Sequence, residues 1–174
     1  MSTRPAADHF RHEALLYSNQ SEFLAGTVAF IQEGIAGDEA ILVVVSAEKI
    51  SLLRAVLGSD ANAVQFADMA VVGANPALII PAWRNFADTC RRQGRRMRGI
   101  GEPIFAARRR SEMLECQRHE ALLNVAFDQG DPWRLLCPYD MSNLGPAVIN
   151  EARRSHPFVT DASSGDEPVP VRKM

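Results

Sequence analysis

Gly37-Asp38-Glu39-Ala40-Ile41-Leu42-Val43-Val44-Val45-Ser46 is the stretch on which the fold turns. Its centre, Ala40–Val45, is an unbroken apolar run rich in β-branched residues, bounded by Gly37-Asp38 and by Ser46. A run that does not alternate needs cover on both faces, and its length suits a strand better than a helix. The run is therefore read as a strand buried within a sheet. It is far too short to span a bilayer.

The flanking segments fit that reading. Upstream, Gln20–Glu33 carries Phe23, Leu24, Thr27, Val28, Ile31 and Ile35 at spacings of three and four, with Gly34 and Gly37 as its stop, which predicts a helix. Downstream, Ala47–Leu57 returns to helical spacing through Ile50, Leu53 and Leu57, and Ala63–Phe66 is a short strand ended at Asp68. Asn75-Pro76 opens a helix over Ala77–Arg92, with Pro81 tolerated in a first turn or at a kink. Arg96–Ile100 reads as a strand. Ser111–Phe127 reads as a helix capped by Ser111, with Leu114, Leu122, Val125 and Ala126 on its apolar side. Trp133–Cys137 and Leu144–Arg154 supply the next strand and helix. Such alternation predicts an α/β fold, a mostly parallel sheet with helices on both faces. Residues 1–8 are expected to be an N-terminal extension, 9–158 one domain, and 159–174 a flexible tail or the start of a linker.

Composition bounds the class. A chain of 174 residues supports one substantial core, and 47% hydrophobic with 23% charged residues is the balance of a soluble globular protein. Cys90, Cys116 and Cys137 are odd in number and widely spaced, which argues against a disulfide framework and for a reducing cytoplasm. Met1–His9 has no apolar leader, so a cytoplasmic protein without membrane attachment is expected.

The net charge of -2 hides an asymmetry: between Arg84 and Arg118 ten Arg face four acids, a local +6 that leaves -8 elsewhere. Arg91, Arg92, Arg95 and Arg96, with Arg108, Arg109 and Arg110, are candidate contacts for an anion or a partner protein. A solvated helix end and loop would use the same residues. Neither helix-turn-helix nor zinc-finger spacing is present, so direct DNA binding is not expected.

The pentapeptide His-Glu-Ala-Leu-Leu occurs twice, at His12–Leu16 and His119–Leu123. Polar residues also fall where the predicted strands stop: Tyr17, Ser18, Asn19, Ser46, Glu48, Asp68, Glu102, Tyr139 and Asp140. Ligands of open α/β sheets bind at those carboxyl ends. On the second copy's helix, Cys116 with His119, or Glu115 with His119, can form half of a metal site or a nucleophile–base pair. A hydrogen-bonded, partly buried His119 and a core-filling Cys116 explain the same residues. Without Cys-x-x-Cys or His-Glu-x-x-His spacing, neither a metal nor a cofactor is expected.

Nucleotide hydrolysis would need a Gly-rich turn with Lys before the first helix. Tyr17-Ser18-Asn19-Gln20-Ser21 has neither, although Asp140 resembles a magnesium-binding carboxylate. Gly99-Ile100-Gly101 reads as a two-glycine turn too short for a dinucleotide fingerprint, and no Gly-x-Ser-x-Gly appears. His156-Pro157 reads as a packed terminus or an interaction point.

Several blocks together carry a family resemblance. Phe10–Tyr17, Met97–Ile104, Glu115–Phe127, Leu135–Asp140 and Glu151–Pro157 resemble the MEDS domain, the methanogen/methylotroph sensory domain. The resemblance implies a degenerate RecA/KaiC-like three-layer sandwich without a phosphate loop, used as a sensory module beside DNA-binding, histidine-kinase or anti-sigma-type domains. It implies sensing of small organic molecules, and the wording is similar to actinobacterial members that precede a serine-kinase-like ATPase domain. Motif positions and strand-end geometry then place a ligand pocket at His12, Glu13, Tyr17, Arg98, Glu102, His119, Glu120, Tyr139 and Asp140.

The expected function is a non-catalytic sensory domain that binds an organic effector and signals to a regulatory protein or a fused kinase or anti-sigma-type domain. The alternatives are an interaction module without ligand and, behind it, a residual nucleotide or metal-assisted hydrolase. A homodimer is the base-rate expectation.

Overall fold

Seven strands form one sheet in the computed structural model, which describes residues 9–128, 132–164 and 169–170. The strands are β1 (Arg11–Tyr17), β2 (Ala40–Val45), β3 (Val64–Asp68), β4 (Met97–Gly101), β5 (Arg134–Asp140), β6 (Phe158–Asp161) and β7 (Val169–Pro170). The helices are α1 (Gln20–Ala36), α2 (Ala47–Leu57), α3 (Met69–Val72), α4 (Ile79–Arg92), α5 (Arg110–Ala126) and α6 (Pro146–Ser155). The sheet order is β3-β2-β4-β5-β1-β6-β7; the first six strands are parallel, and β7 is antiparallel to β6. This is a three-layer α/β sandwich, with no described helix long and apolar enough to cross a membrane.

Strand pleating sorts the core into two layers. Ala14, Leu16, Leu135, Cys137 and Tyr139 point toward α4, α5 and α6. Leu15, Tyr17, Ile41, Val43, Ile100 and Leu136 point toward α1 and α2. Ala40–Val45 lies in the sheet interior between β3 and β4, which is why both its faces are apolar.

Local chemistry explains the element ends. Asn19 caps α1, accepting the amide of Glu22 at 2.9 Å, and the helix runs through Gly34 to Gly37. Gly34 is not a stop: a Cβ there would lie 2.6 Å from the Arg98 side chain that crosses the helix. Pro81 sits in the first turn of α4, where no intrahelical amide bond is lost. Gly99-Ile100-Gly101 is strand, not turn. A Cβ on Gly99 or Gly101 would approach the Trp83 indole to 2.5 or 2.9 Å, so these glycines let a large ring of α4 lie flat on β4.

Three further expectations are corrected. α5 begins at Arg110 with Arg109 in the capping position, whose amide donates to Glu112 at 3.2 Å; Ser111 lies one residue inside the helix. Its buried side is Cys116, Glu120 and Leu123, whereas Leu114, Leu122 and Val125 are exposed by 50%, 51% and 74%. Residues 159–161, assigned to the tail, belong to β6, which pairs with β1. The extension at 1–8 and the tail segments 165–168 and 171–174 lie outside the described residues.

Candidate functional site

The nine predicted pocket residues do not share one pocket. They separate into three polar clusters, with His119 apart from all of them.

At the amino ends of the strands, on the α1 side, Arg134 grips Glu13 with two bonds of 2.8 and 3.1 Å, and Arg11 adds a third contact at 2.7 Å. Arg98 pairs with Glu39 at 2.6 Å and Glu33 at 3.0 Å, donates to the Phe30 carbonyl at 2.8 Å, and lies over the Phe30 ring. Glu33 bridges Arg98 and Arg134. Burial alone would raise the Glu33 pKa, but the Arg98 hydrogen bond and the charges of Arg134 and Arg98 outweigh it and hold it low. Glu13 and Arg98 are thereby spent on each other's neighbours, as a partly buried ion-pair lattice joining β1, β4 and β5 to α1.

The second cluster lies at the carboxyl ends on the same face. Tyr17 closes β1, Glu102 directly follows β4, and Lys49 occupies the first turn of α2. The Tyr17 hydroxyl donates to Glu102 at 2.6 Å, while Lys49 reaches both Glu102 oxygens at 2.6 Å and the Tyr17 oxygen at 2.5 Å. Tyr17 and Glu102 are buried, and the Lys49 side chain is 24% exposed. Burial, with the Glu102 charge, pushes the Tyr17 phenol up. Burial also raises Glu102 despite the opposing Lys49.

Asp140 lies beside Tyr17 in the sheet register. It accepts from the amide and hydroxyl of Ser142 and from the Asn143 amide; with Lys49 these overcome burial and lower its pKa. The loop after Tyr17 is closed by its own side chains: Glu22 accepts the Ser18 amide at 2.7 Å, and Asn19 accepts from Glu22.

The third cluster lies between the sheet and the helices of the other face. His12 of β1, Glu120 of α5, Cys137 of β5 and His156 at the end of α6 bring one ligating atom each to within 4.8 Å of one another. All four are buried. His12 Nε2 lies 3.2 Å from Cys137 Sγ and 3.4 Å from Glu120 Oε2, and His156 Nε2 lies 3.2 Å from that same oxygen. The Tyr139 hydroxyl donates to Glu120 at 3.3 Å.

These groups perturb one another. Burial opposes ionisation of Glu120, but the adjacent imidazoles of His12 and His156 outweigh it and hold its pKa far below the usual carboxylate range. Burial and the neighbouring His156 lower His12. Burial and Glu120 push the Cys137 thiol and the Tyr139 phenol well up.

The two pentapeptide copies thus meet through His12 of one and Glu120 of the other. His119 points elsewhere, its buried Nδ1 without a hydrogen-bond partner among the described residues. The Arg residues divide as well. Arg91, Arg95 and Arg96 line a hollow with Cys90 and Met97 at the amino end of β4. Arg92 donates to Thr89, and Arg108 donates to the Pro103 and Gly73 carbonyls beyond the carboxyl end of β4. Arg109 pairs with Glu112, and Arg110 lines a separate hollow with Met113 and Val148.

Lys49, Cys137, His156 and Asn124 take part in these clusters and were not among the predicted pocket residues. For His156 and Cys137 the available signal was residue type: a histidine and a cysteine beside buried apolar runs. Lys49 had only its place one turn after a strand, and Asn124 had none.

A family model for MEDS, the MEthanogen/methylotroph, DcmR Sensory domain, matches residues 11–157. The chain belongs to the MEDS family. The match spans β1 through α6, and so every residue of the three clusters in this MEDS domain. No curated protein matches the chain. As a sensory family, MEDS gives the chain a sensory or regulatory role at the level of class.

Proposed function

We propose that this MEDS domain is a non-catalytic sensor that binds a small organic effector at the carboxyl ends of β1 and β4 and signals through α2. The observation that carries the reading is the Tyr17–Lys49–Glu102 cluster. A partly exposed cation from a helix is held by a buried acid and phenol of the sheet. An effector whose polar group replaces Lys49 on Glu102 and Tyr17 would loosen α2 from the sheet. One that bridges them would tighten it. Either way the effector acts by favouring one of two conformations.

The α1 amino end supports the non-catalytic part. There Glu22 and Asn19 engage the amides that a phosphate would need, and Glu22 adds a negative charge where an anion would sit. The output is a regulatory protein or a fused kinase or anti-sigma-type domain, in transcriptional or two-component control in the cytoplasm, without direct DNA binding.

NMR titration of the whole chain with short-chain alcohols, amines and carboxylates tests the reading. Saturable shifts at Tyr17, Lys49 and the first turn of α2, abolished in Glu102→Gln, are expected. Magnesium-dependent ATP hydrolysis lost in Asp140→Ala would overturn it. A ligand-free interaction module is the second reading, favoured by the internally paired Glu13 and Glu120 and by the apolar residues Leu114, Leu122 and Val125 on the outer side of α5. It predicts no saturable shift with any of these compounds.

A further inference from the structure

We infer that His12, Glu120, Cys137 and His156 form a closed four-ligand site for a borderline divalent transition metal ion, with Zn²⁺ the best match. The argument begins with which ring nitrogens are free. His156 Nδ1 lies 2.8 Å from the Ala152 carbonyl, which can only accept, so Nδ1 carries the proton. Asn124 donates its amide to the Ser155 carbonyl at 2.7 Å, which fixes its own oxygen toward His12 Nδ1 at 3.2 Å. His12 Nδ1 must then be a donor as well. In the neutral imidazoles the Nε2 lone pair of His156 consequently faces the Glu120 carboxylate, and that of His12 faces both Cys137 Sγ and the carboxylate. Outer partners that hold histidines in this way are characteristic of metal ligands.

An Nε2 lone pair facing a carboxylate oxygen across 3.2 Å is repulsive unless a proton or a metal ion lies between them, and a proton requires hydrogen-bond alignment. His156 Nε2 is buried and close to Glu120, yet it is not aligned for a hydrogen bond with any described residue. Proximity without hydrogen-bond alignment fits two donors directed at a shared third point better than it fits two groups bonded to each other.

The separations agree. Tetrahedral Zn²⁺ with bonds of about 2.0–2.3 Å places neighbouring ligand atoms about 3.3–3.6 Å apart. Three of the separations are 3.2 Å for His12 to Cys137, 3.4 Å for His12 to Glu120 and 3.2 Å for His156 to Glu120, and all four ligating atoms lie within 4.8 Å of one another. Two imidazoles, one carboxylate and one thiolate also balance a dication to zero net charge, the condition for burying it. Imidazole and thiolate donors select against Mg²⁺ and Ca²⁺.

The four ligands come from β1, α5, β5 and the end of α6, so the ion would tie two helices to the sheet centre. Four protein ligands leave no open position, which is the arrangement of a structural or metal-responsive site. A hollow of about 350 Å³ lined by Asn124, Ser155 and His156 borders the site on its His156 side. This site is independent of the effector cluster, which lies on the opposite face of the sheet.

Cobalt provides the test. The chain is produced in metal-depleted medium supplemented with Co²⁺, and metal content and absorption are measured. One equivalent of Co²⁺, visible bands of tetrahedral intensity and a thiolate-to-cobalt charge-transfer band are expected. Cys137→Ser should remove the charge-transfer band, and Asn124→Ala should weaken the affinity by about 10–100-fold. Cys116→Ser and His119→Gln should leave the spectrum unchanged. X-ray absorption of the wild-type cobalt protein should give one sulfur and three nitrogen or oxygen ligands, a readout that needs no variant to fold. Folded wild-type protein with only trace metal, a cobalt site without sulfur, or a charge-transfer band that survives Cys137→Ser would overturn the inference.

Discussion

His-Glu-Ala-Leu-Leu is a strand at residues 12–16 and a helix at 119–123, and the two copies spend identical side chains differently. In the strand all five residues are buried, because β1 lies inside the sheet with helices on both faces. Pleating sends His12 toward α5 and Glu13 toward α1, so neighbouring polar residues serve two different layers. In the helix only Glu120 and Leu123 are buried, three positions apart on one side, while Ala121 and Leu122 are exposed. Secondary structure here is decided by what surrounds the pentapeptide and not by its own preferences.

The comparison can be broken first at its leucines. Leu16→Ala and Leu123→Ala each remove a buried side chain and should cost about 2–5 kcal/mol in chemical denaturation. Leu122→Ala, at the exposed partner of Leu15 in the repeat, should stay within about 0.5 kcal/mol. Equal losses at Leu122 and Leu123 would mean that the outer side of α5 is covered.

A smaller effect is expected at the first acid. Glu13→Ala leaves Arg134 with Glu33 alone and should cost about 1–3 kcal/mol in the same measurement. Retained stability in Glu13→Gln would separate the charge from the hydrogen bonds.

The smallest effect is a pH dependence in the network that Glu13 joins. Glu33 is held below its ordinary value of 4.5, so it remains ionised in the folded chain at pH values where the unfolded chain takes up the proton. Its contribution is present above that value and is lost as the pH falls below it. Glu33→Gln should flatten the acid limb of a urea-midpoint profile. The loss is modest because the side chain is 40% exposed and screened by solvent.

The sheet was legible wherever apolar period and length agreed. Ala40–Val45 and Ala47–Leu57 lie at the predicted residues because a continuous β-branched run and a three-and-four spacing are unambiguous side by side. α5 was legible as a helix but not in its orientation. Its buried side carries Cys116 and Glu120, and a reading by hydrophobicity selects Leu114, Leu122 and Val125 instead. Arg96–Ile100 was legible as a strand, but Gly99-Ile100-Gly101 also read as a turn, and the indole that requires both glycines is seen only in the structure.

The clusters were less legible, since each is assembled across the sheet. Glu102 needs Lys49 from α2, and His12 needs Cys137 and His156 from elements far along the chain. No local spacing encodes those meetings.

The place of β1 has a consequence for biosynthesis. β1 is translated before both of its lateral neighbours, β5 and β6, and must wait for them. Until Asp161 has emerged, the nascent chain holds an apolar segment with an unpaired edge, the condition that invites chaperone capture or pairing with another copy. An expression fragment trimmed at residue 157, where the family match stops, would make that exposure permanent.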